Sequence, residues 1–195
     1  MKSRLIDGKA LSQVIKHDVK RQIDEYIRNN LVAPKLSVIL IGDDPASTIY
    51  VRNKEKACAE VGIISDTYKL SAEVQMTEVL NLIYRLNADK LVNGILLQLP
   101  IPQTLDKNVL INAIDPNKDV DGLCFVNQGK LLCGDTTGIC PCTPLGILEL
   151  IKTEIKDLSG KVAAIIGRSL LVGKPIRILL EQQNCTTIAL HSKSQ

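Results

Sequence analysis

Leu36-Ser-Val-Ile-Leu-Ile41, closed by Gly42, is a short run dominated by branched aliphatic residues, with Ser37 its only polar member. That is the composition of a strand buried on both faces. Upstream, Leu11, Val14, Ile15, Val19, Ile23, Tyr26 and Ile27 recur at three- and four-residue steps and predict a helix, with Pro34 closing the connection to the strand. Downstream, the pattern alternates. A helix is expected from about 45–47 to 61, a strand over 63–70, a helix over 77–87, a strand over 94–98 and a short helix over 107–114. Strands alternating with helices of this length call for a mainly parallel sheet covered on both faces, an α/β fold in three αβα layers.

After Pro116 the period is lost. Residues 117–142 hold Gly122, Gly129, Gly134 and Gly138 with no sustained pattern and read as an ordered loop or a domain junction, a length that is usually functional. Thr143-Pro144 then predicts a new helix, with Thr as cap and Pro at the first position. A strand over 161–166, a helix over 175–182 and a strand over 186–190 follow. The expected organisation is one α/β domain over 1–140 and the beginning of a second over 141–195.

Composition narrows the function. The 195 residues are 45% hydrophobic and 23% charged, which is globular rather than disordered. Lys+Arg exceed Asp+Glu by 24 to 21, a net charge of +3, too little to form the concentrated basic face that nucleic acid requires. With 3% aromatic residues and no Trp, bases would also find little to stack on. No apolar run approaches the roughly 20 residues of a membrane span, and residues 1–9 lack a signal region, so the expectation is a cytoplasmic protein without nucleic-acid or membrane partners. Six cysteines (58, 124, 133, 140, 142 and 185) are then expected as free thiols. Cys140-Pro-Cys142 leaves one residue between candidate ligands where structural zinc sites use two to four, so no metal is expected.

Five places carry chemistry. Tyr50 and Lys54 lie one helical turn apart, on one face, although a solvated Lys beside a half-buried Tyr has the same spacing. Gln98 interrupts Gly94-Ile-Leu-Leu-Gln-Leu-Pro-Ile-Pro102, at the strand end where α/β sheets bind ligands. A buried Gln needs partners, and a Lys from the neighbouring helix would serve. Asp119-Val-Asp121-Gly122 is either a simple turn or a ligand loop. Gly167-Arg-Ser-Leu-Leu-Val-Gly173-Lys-Pro175 joins a strand to a helix. It is either an ordinary turn or a backbone cradle for phosphate at a helix N-terminus. His191-Ser192-Lys193 follows the next strand, where a dinucleotide fold meets the adenosine ribose. The acidic ligand of a free 2′-hydroxyl is absent there, and Arg168 with Ser192 suits a 2′-phosphate, hence NADP rather than NAD.

Tyr50-Val-Arg-Asn-Lys54-Glu-Lys-Ala57, Gly94-Ile-Leu-Leu-Gln98-Leu-Pro100, Asp119-Val-Asp121-Gly122, Pro141-Cys-Thr-Pro144 and Gly167-Arg-Ser-Leu-Leu-Val-Gly173-Lys-Pro175 occur in this order. The set closely resembles the bifunctional methylenetetrahydrofolate dehydrogenase/methenyltetrahydrofolate cyclohydrolase family, from Ile6 to Ser192. The resemblance implies a folate-binding catalytic domain followed by a Rossmann-type NADP domain, and a homodimer formed through the latter. The implied chemistry is oxidation of 5,10-methylenetetrahydrofolate to the methenyl form and its hydrolysis to 10-formyltetrahydrofolate, a one-carbon donor linked to purine biosynthesis.

Carried over by residue, the resemblance makes Lys54 the catalytic lysine and Gln98 the group that orients it. It makes Asp121 a hydrogen-bond partner of the pterin and Tyr50 a packing surface for the folate rings, with Leu97 and Leu99 beside them. Gly167, Arg168, Ser169 and Ser192 hold the cofactor. A lysine desolvated in a cleft can exchange protons near neutral pH. Two departures stand out. The family commonly has Phe-His after Asp-Gly, where this sequence has Leu123-Cys124-Phe125. The family also continues through further Rossmann strands and a Pro-Gly-Gly segment, so residues 1–195 alone are expected to bind NADP poorly. The alternative expectation is a catalytically impaired folate- or nucleotide-binding fragment. An unrelated NADP-dependent dehydrogenase would leave Tyr50, Lys54 and Gln98 unexplained.

Overall fold

The computed structural model describes residues 5–195. Helices and strands alternate in the order α1 (Gly8–Arg28), β1 (Lys35–Ile41), α2 (Pro45–Val61), β2 (Ile64–Leu70), α3 (Met76–Ala88), β3 (Gly94–Leu97), α4 (Lys107–Ala113), α5 (Phe125–Cys133), α6 (Cys142–Glu154), β4 (Val162–Ile166), α7 (Gly173–Glu181) and β5 (Thr186–Leu190). All strand pairs are parallel. One sheet has the order β2-β1-β3 and the other pairs β4 with β5.

Two compact units emerge. The first spans Lys9–Asp119, and the second comprises Val120–Gln195 together with residues 5–8. By packing, then, residues 120–140 group with the second unit, whereas the sequence reading places them before its boundary at 140/141.

In the first unit β1 is central and buried from Ser37 to Ile41, as its unbroken apolar run demands. Val38 and Ile39 are fully buried, as are Val79, Ile83 and Leu110, each such side chain stabilising the fold by roughly 1.5–3 kcal/mol. The ladder sets Leu36 opposite Gly94 and Ile39 opposite Leu97. It then runs one step past β3, because the Gln98 N–H donates to the Ile39 carbonyl at 2.9 Å. Gln98 is thereby fixed at the carboxyl end of the central strands. The chain returns along β3 at Lys118–Asp119, where the Ile95 N–H donates to the Lys118 carbonyl at 2.7 Å. Lys118 Nζ donates to the carbonyls of Leu86, Asn87 and Asp89 around the end of α3, satisfying groups that a helix end leaves open.

The helix α2 is set by its caps. The Asp44 carboxylate accepts from the Ser47 N–H at 2.7 Å, Pro45 occupies the first turn, and Gly62 takes the left-handed cap at φ 90°. In α1 only Ile23 is buried, while Val14, Ile15, Tyr26 and Ile27 are exposed, so its periodic stripe is only partly used within the unit.

The second unit packs Leu131, Leu148, Leu158, Ile176, Leu179 and Leu180 into one core. Two expectations are corrected here. The region read as loop contains α5, which the sequence hides because Gly129 sits inside it and a cysteine caps it, the Cys124 Sγ accepting from the Asn127 N–H at 3.5 Å. Thr143 is not the cap of α6 either. The helix begins at Cys142 with Pro141 in the cap position, and no side chain caps it.

Candidate active site

In the first unit, α2 presents Lys54 toward the end of β3. Lys54 Nζ donates to Gln98 Oε1 at 3.0 Å, while Gln98 Nε2 donates to the Leu99 carbonyl at 2.7 Å. Both ends of the Gln98 amide are thus engaged, which is what a polar group at 8% exposure requires. The rotamer is fixed, and with it the position of the ammonium. Leu97 is buried and Leu99 half-buried on either side. Tyr50 stands one turn before Lys54 and is 62% exposed, leaving a ring face free for a planar partner. Next to Lys54, Glu55 Oε1 accepts from Thr67 Oγ1 on β2 at 2.6 Å, holding α2 to the sheet.

In the second unit, Asp121 is half-buried in the segment before α5. Gly122 adopts φ +62°, and a Cβ there would lie 2.4 Å from the Ile139 carbonyl oxygen, so only glycine allows these two stretches to meet. Gln128 Nε2 donates to the Gly122 carbonyl at 2.6 Å, and Cys142 Sγ donates to that of Val120 at 3.4 Å.

The turn after β4 is wound on Ser169, whose Oγ accepts from the N–H groups of Val172 at 3.1 Å and Gly173 at 3.3 Å. A Cβ at Gly173 would lie 2.4 Å from the Gly167 carbonyl oxygen, while Gly167, at φ +131°, faces open space. Beside the turn lies a cleft of about 520 Å³ lined by, among others, Gly167, Arg168, Lys174, Arg177 and His191. Open space at the glycine, a helix start and three cationic side chains together fit an anionic dinucleotide. Lys174 and Arg177 are absent from the sequence-based site, although their places, directly after Gly173 and one helical turn beyond it, are legible. Ser192 is exposed just after His191 and is not among the residues that line the cleft. His191 Nδ1 accepts from the Lys193 N–H at 3.1 Å, and Ser194 Oγ accepts from the His191 N–H at 2.9 Å, closing the turn.

All six cysteines are thiols rather than halves of disulfides. Among the described residues no group of three or more His, Cys, Asp or Glu could hold a metal ion, and no helix is long and apolar enough to cross a membrane.

Two family profiles match this chain. Tetrahydrofolate dehydrogenase/cyclohydrolase, catalytic domain, matches residues 6–121. The NAD(P)-binding domain of the same family matches residues 141–195. The bifunctional protein FolD of Acetivibrio thermocellus is 46% identical over 195 residues, covering 100% of this chain and 68% of the relative. Among solved structures, the bifunctional FolD methylenetetrahydrofolate dehydrogenase/cyclohydrolase of Campylobacter jejuni aligns with a TM-score of 0.96 at 43% identity, covering 98% of this chain and 68% of the other. The Trypanosoma brucei methylenetetrahydrofolate dehydrogenase-cyclohydrolase, complexed with NADP and inhibitor, aligns with a TM-score of 0.94 at 31% identity, covering 100% and 66%. The chain therefore spans about two thirds of the length of these relatives.

Proposed function

The chain belongs to the tetrahydrofolate dehydrogenase/cyclohydrolase family, and from that membership we propose how its residues divide the work. The protein acts in one-carbon folate metabolism. It oxidises 5,10-methylenetetrahydrofolate to 5,10-methenyltetrahydrofolate with NADP, and hydrolyses the methenyl form to 10-formyltetrahydrofolate. NADP, when bound, supplies the hydride acceptor. Gly167, Arg168 and the start of α7 hold its phosphates, and Lys174 and Arg177 add positive charge along the same cleft.

The Lys54–Gln98 contact carries the mechanistic reading. In the hydrolysis, water oxygen bonds to the methenyl carbon and gives up a proton. The bond from that carbon to the ring nitrogen then breaks: the hydroxyl gives up its remaining proton as the formyl C=O forms, the nitrogen takes a proton, and one proton is released overall. An amine held by Gln98 at the end of β3 can accept the first proton and donate the one that the nitrogen takes. In the oxidation the residues mainly orient donor and acceptor, with Tyr50, Leu97 and Leu99 flanking the folate and Asp121 bonding the pterin. The active species is a homodimer acting in the cytoplasm, and its product suits it to purine biosynthesis. The test is to assay the full-length protein for NADPH formation from methylenetetrahydrofolate and for methenyl hydrolysis, with its mass in solution measured in parallel. Absence of both activities would refute the reading.

A further inference from the structure

The residues on either side of Asp121 each have their carbonyl bonded by a side chain, Val120 by Cys142 Sγ at 3.4 Å and Gly122 by Gln128 Nε2 at 2.6 Å. The second is much the shorter, and amide nitrogen is the stronger donor. Gly122 is buried, so loss of that donor would leave its carbonyl poorly satisfied, and the peptide would have to shift. The shift has few directions open to it. On the opposite side Gly122 packs against the 139–140 backbone so closely that a Cβ would overlap it. That backbone is itself held, since the Ile139 N–H donates to Oδ1 of buried Asn127 at 3.2 Å. Asn127 and Gln128 are neighbours on α5, so one turn of this helix braces both the segment that carries Asp121 and the 139–140 stretch packed on Gly122.

We propose that Gln128 is a positioning residue for the folate reaction: through the Gly122 carbonyl it fixes the Gly122–Leu123 peptide, one residue beyond Asp121, and by holding that end of the segment sets where Asp121 stands and with it folate affinity. This rests on the reading that Asp121 bonds the pterin. It adds a residue that neither the motifs nor the Lys54–Gln98 pair contains.

Gln128 also lines the cofactor cleft, so the test must separate the two roles. In the full-length protein, Gln128→Met removes the donor at similar length, Gln128→Lys returns an N–H donor, and Asp121→Asn serves as reference. Three quantities are measured: the KM for methylenetetrahydrofolate against kcat, the Kd for NADP, and hydrogen exchange of residues 119–124. For Gln128→Met we expect the folate KM to rise about five- to tenfold, the scale of one lost hydrogen bond. Loop exchange should be faster, the NADP Kd within about twofold, and Gln128→Lys should recover most of the loss. Weakened NADP binding with folate KM unchanged would assign Gln128 to the cofactor cleft and overturn the proposal, as would unaltered loop exchange. Faster exchange with folate KM unchanged would overturn it if Asp121→Asn raises that KM. If Asp121→Asn leaves it unchanged too, the pterin role of Asp121 has failed instead, and the exchange result alone decides whether Gln128 holds the loop.

Discussion

Lys54 and Gln98 are forty-four positions apart in sequence and 3.0 Å apart in space, Nζ donating to Oε1. The amide nitrogen of Gln98 is occupied by the Leu99 carbonyl, so Gln98 offers the lysine only its oxygen. A donor held by a buried acceptor cannot swing to solvent as a surface lysine does. The pair thus accounts for how an amine on an exposed helix comes to stand at the carboxyl edge of the sheet.

Lys54→Met keeps the aliphatic stem and removes the amine. General acid–base catalysis contributes about 10²–10⁴-fold, so methenyl hydrolysis should fall at least about 100-fold. NADPH formation should fall less, and folate binding should survive. Both rates are read on the same variant. Hydrolysis near the unmodified rate would show that Lys54 carries no proton.

Gln98→Leu leaves the Lys54 ammonium beside an apolar surface. Breaking a hydrogen bond to a charged group costs about 1.5–3 kcal/mol, about 10- to 150-fold if expressed wholly in the hydrolysis rate. Gln98→Glu retains an acceptor and should recover part of this loss. Equal loss in the two variants would indicate that the amide matters for packing alone.

Arg168 lines the cofactor cleft and is exposed. If Arg168 holds the 2′-phosphate, as proposed, Arg168→Gln should weaken NADP about tenfold or more while leaving NAD little changed. Titration of both cofactors decides this, and a parallel loss for NAD would place Arg168 elsewhere on the dinucleotide.

Gly173→Ala would place a methyl 2.4 Å from the Gly167 carbonyl oxygen. The phosphate turn must open, so NADP affinity should fall and stability drop by about 1–3 kcal/mol. Denaturant unfolding with and without NADP separates the two effects. An unchanged NADP Kd would mean that the turn does not form the cofactor cradle.

The Asp44 carboxyl is held below the usual carboxylate range by the Ser47 backbone N–H it accepts from. A depressed folded-state pKa contributes stability above the unfolded value of about 3.9, lost as pH falls through the folded value. Asp44→Ala should therefore lower the Tm at neutral pH, and the gap between the two proteins should narrow below about pH 4. A constant gap across that range would argue against the charged cap.

Thiol labelling should sort the cysteines. Cys133 and Cys142 are exposed, whereas Cys58, Cys124 and Cys185 are buried. Burial pushes the Cys58 and Cys140 thiols up, away from the reactive thiolate. In the native protein Cys133, the more open of the exposed pair because Cys142 donates to Val120, should react first, and the buried three only on unfolding. Mass mapping of labelled peptides gives the order, and early labelling of Cys58 would contradict the packing of α2.

Local sequence determined the elements, because local forces decide them. The run Leu36–Ile41 has no polar alternation, and so it became the central strand. Asp44, Pro45 and Gly62 are capping chemistry for α2, and residues 186–190 form β5 as their composition predicts. Sequence also placed Tyr50 and Lys54 on one helical face, since that follows from 3.6 residues per turn alone. What depends on chain segments meeting was legible only in part. A lysine partner for Gln98 was expected, but the contact itself requires the β1–β3 register. That residues 125–133 are helical requires a cysteine cap and the packing of Leu131 in the second core, which outweigh the glycine at 129. That Gln128 bonds Gly122 and Gly173 abuts Gly167 follows from close backbone approaches, which leave no trace in periodicity. Propensity and capping act over a few residues, whereas the geometry of the site is set by contacts between residues distant in the chain, and only the folded structure supplies those.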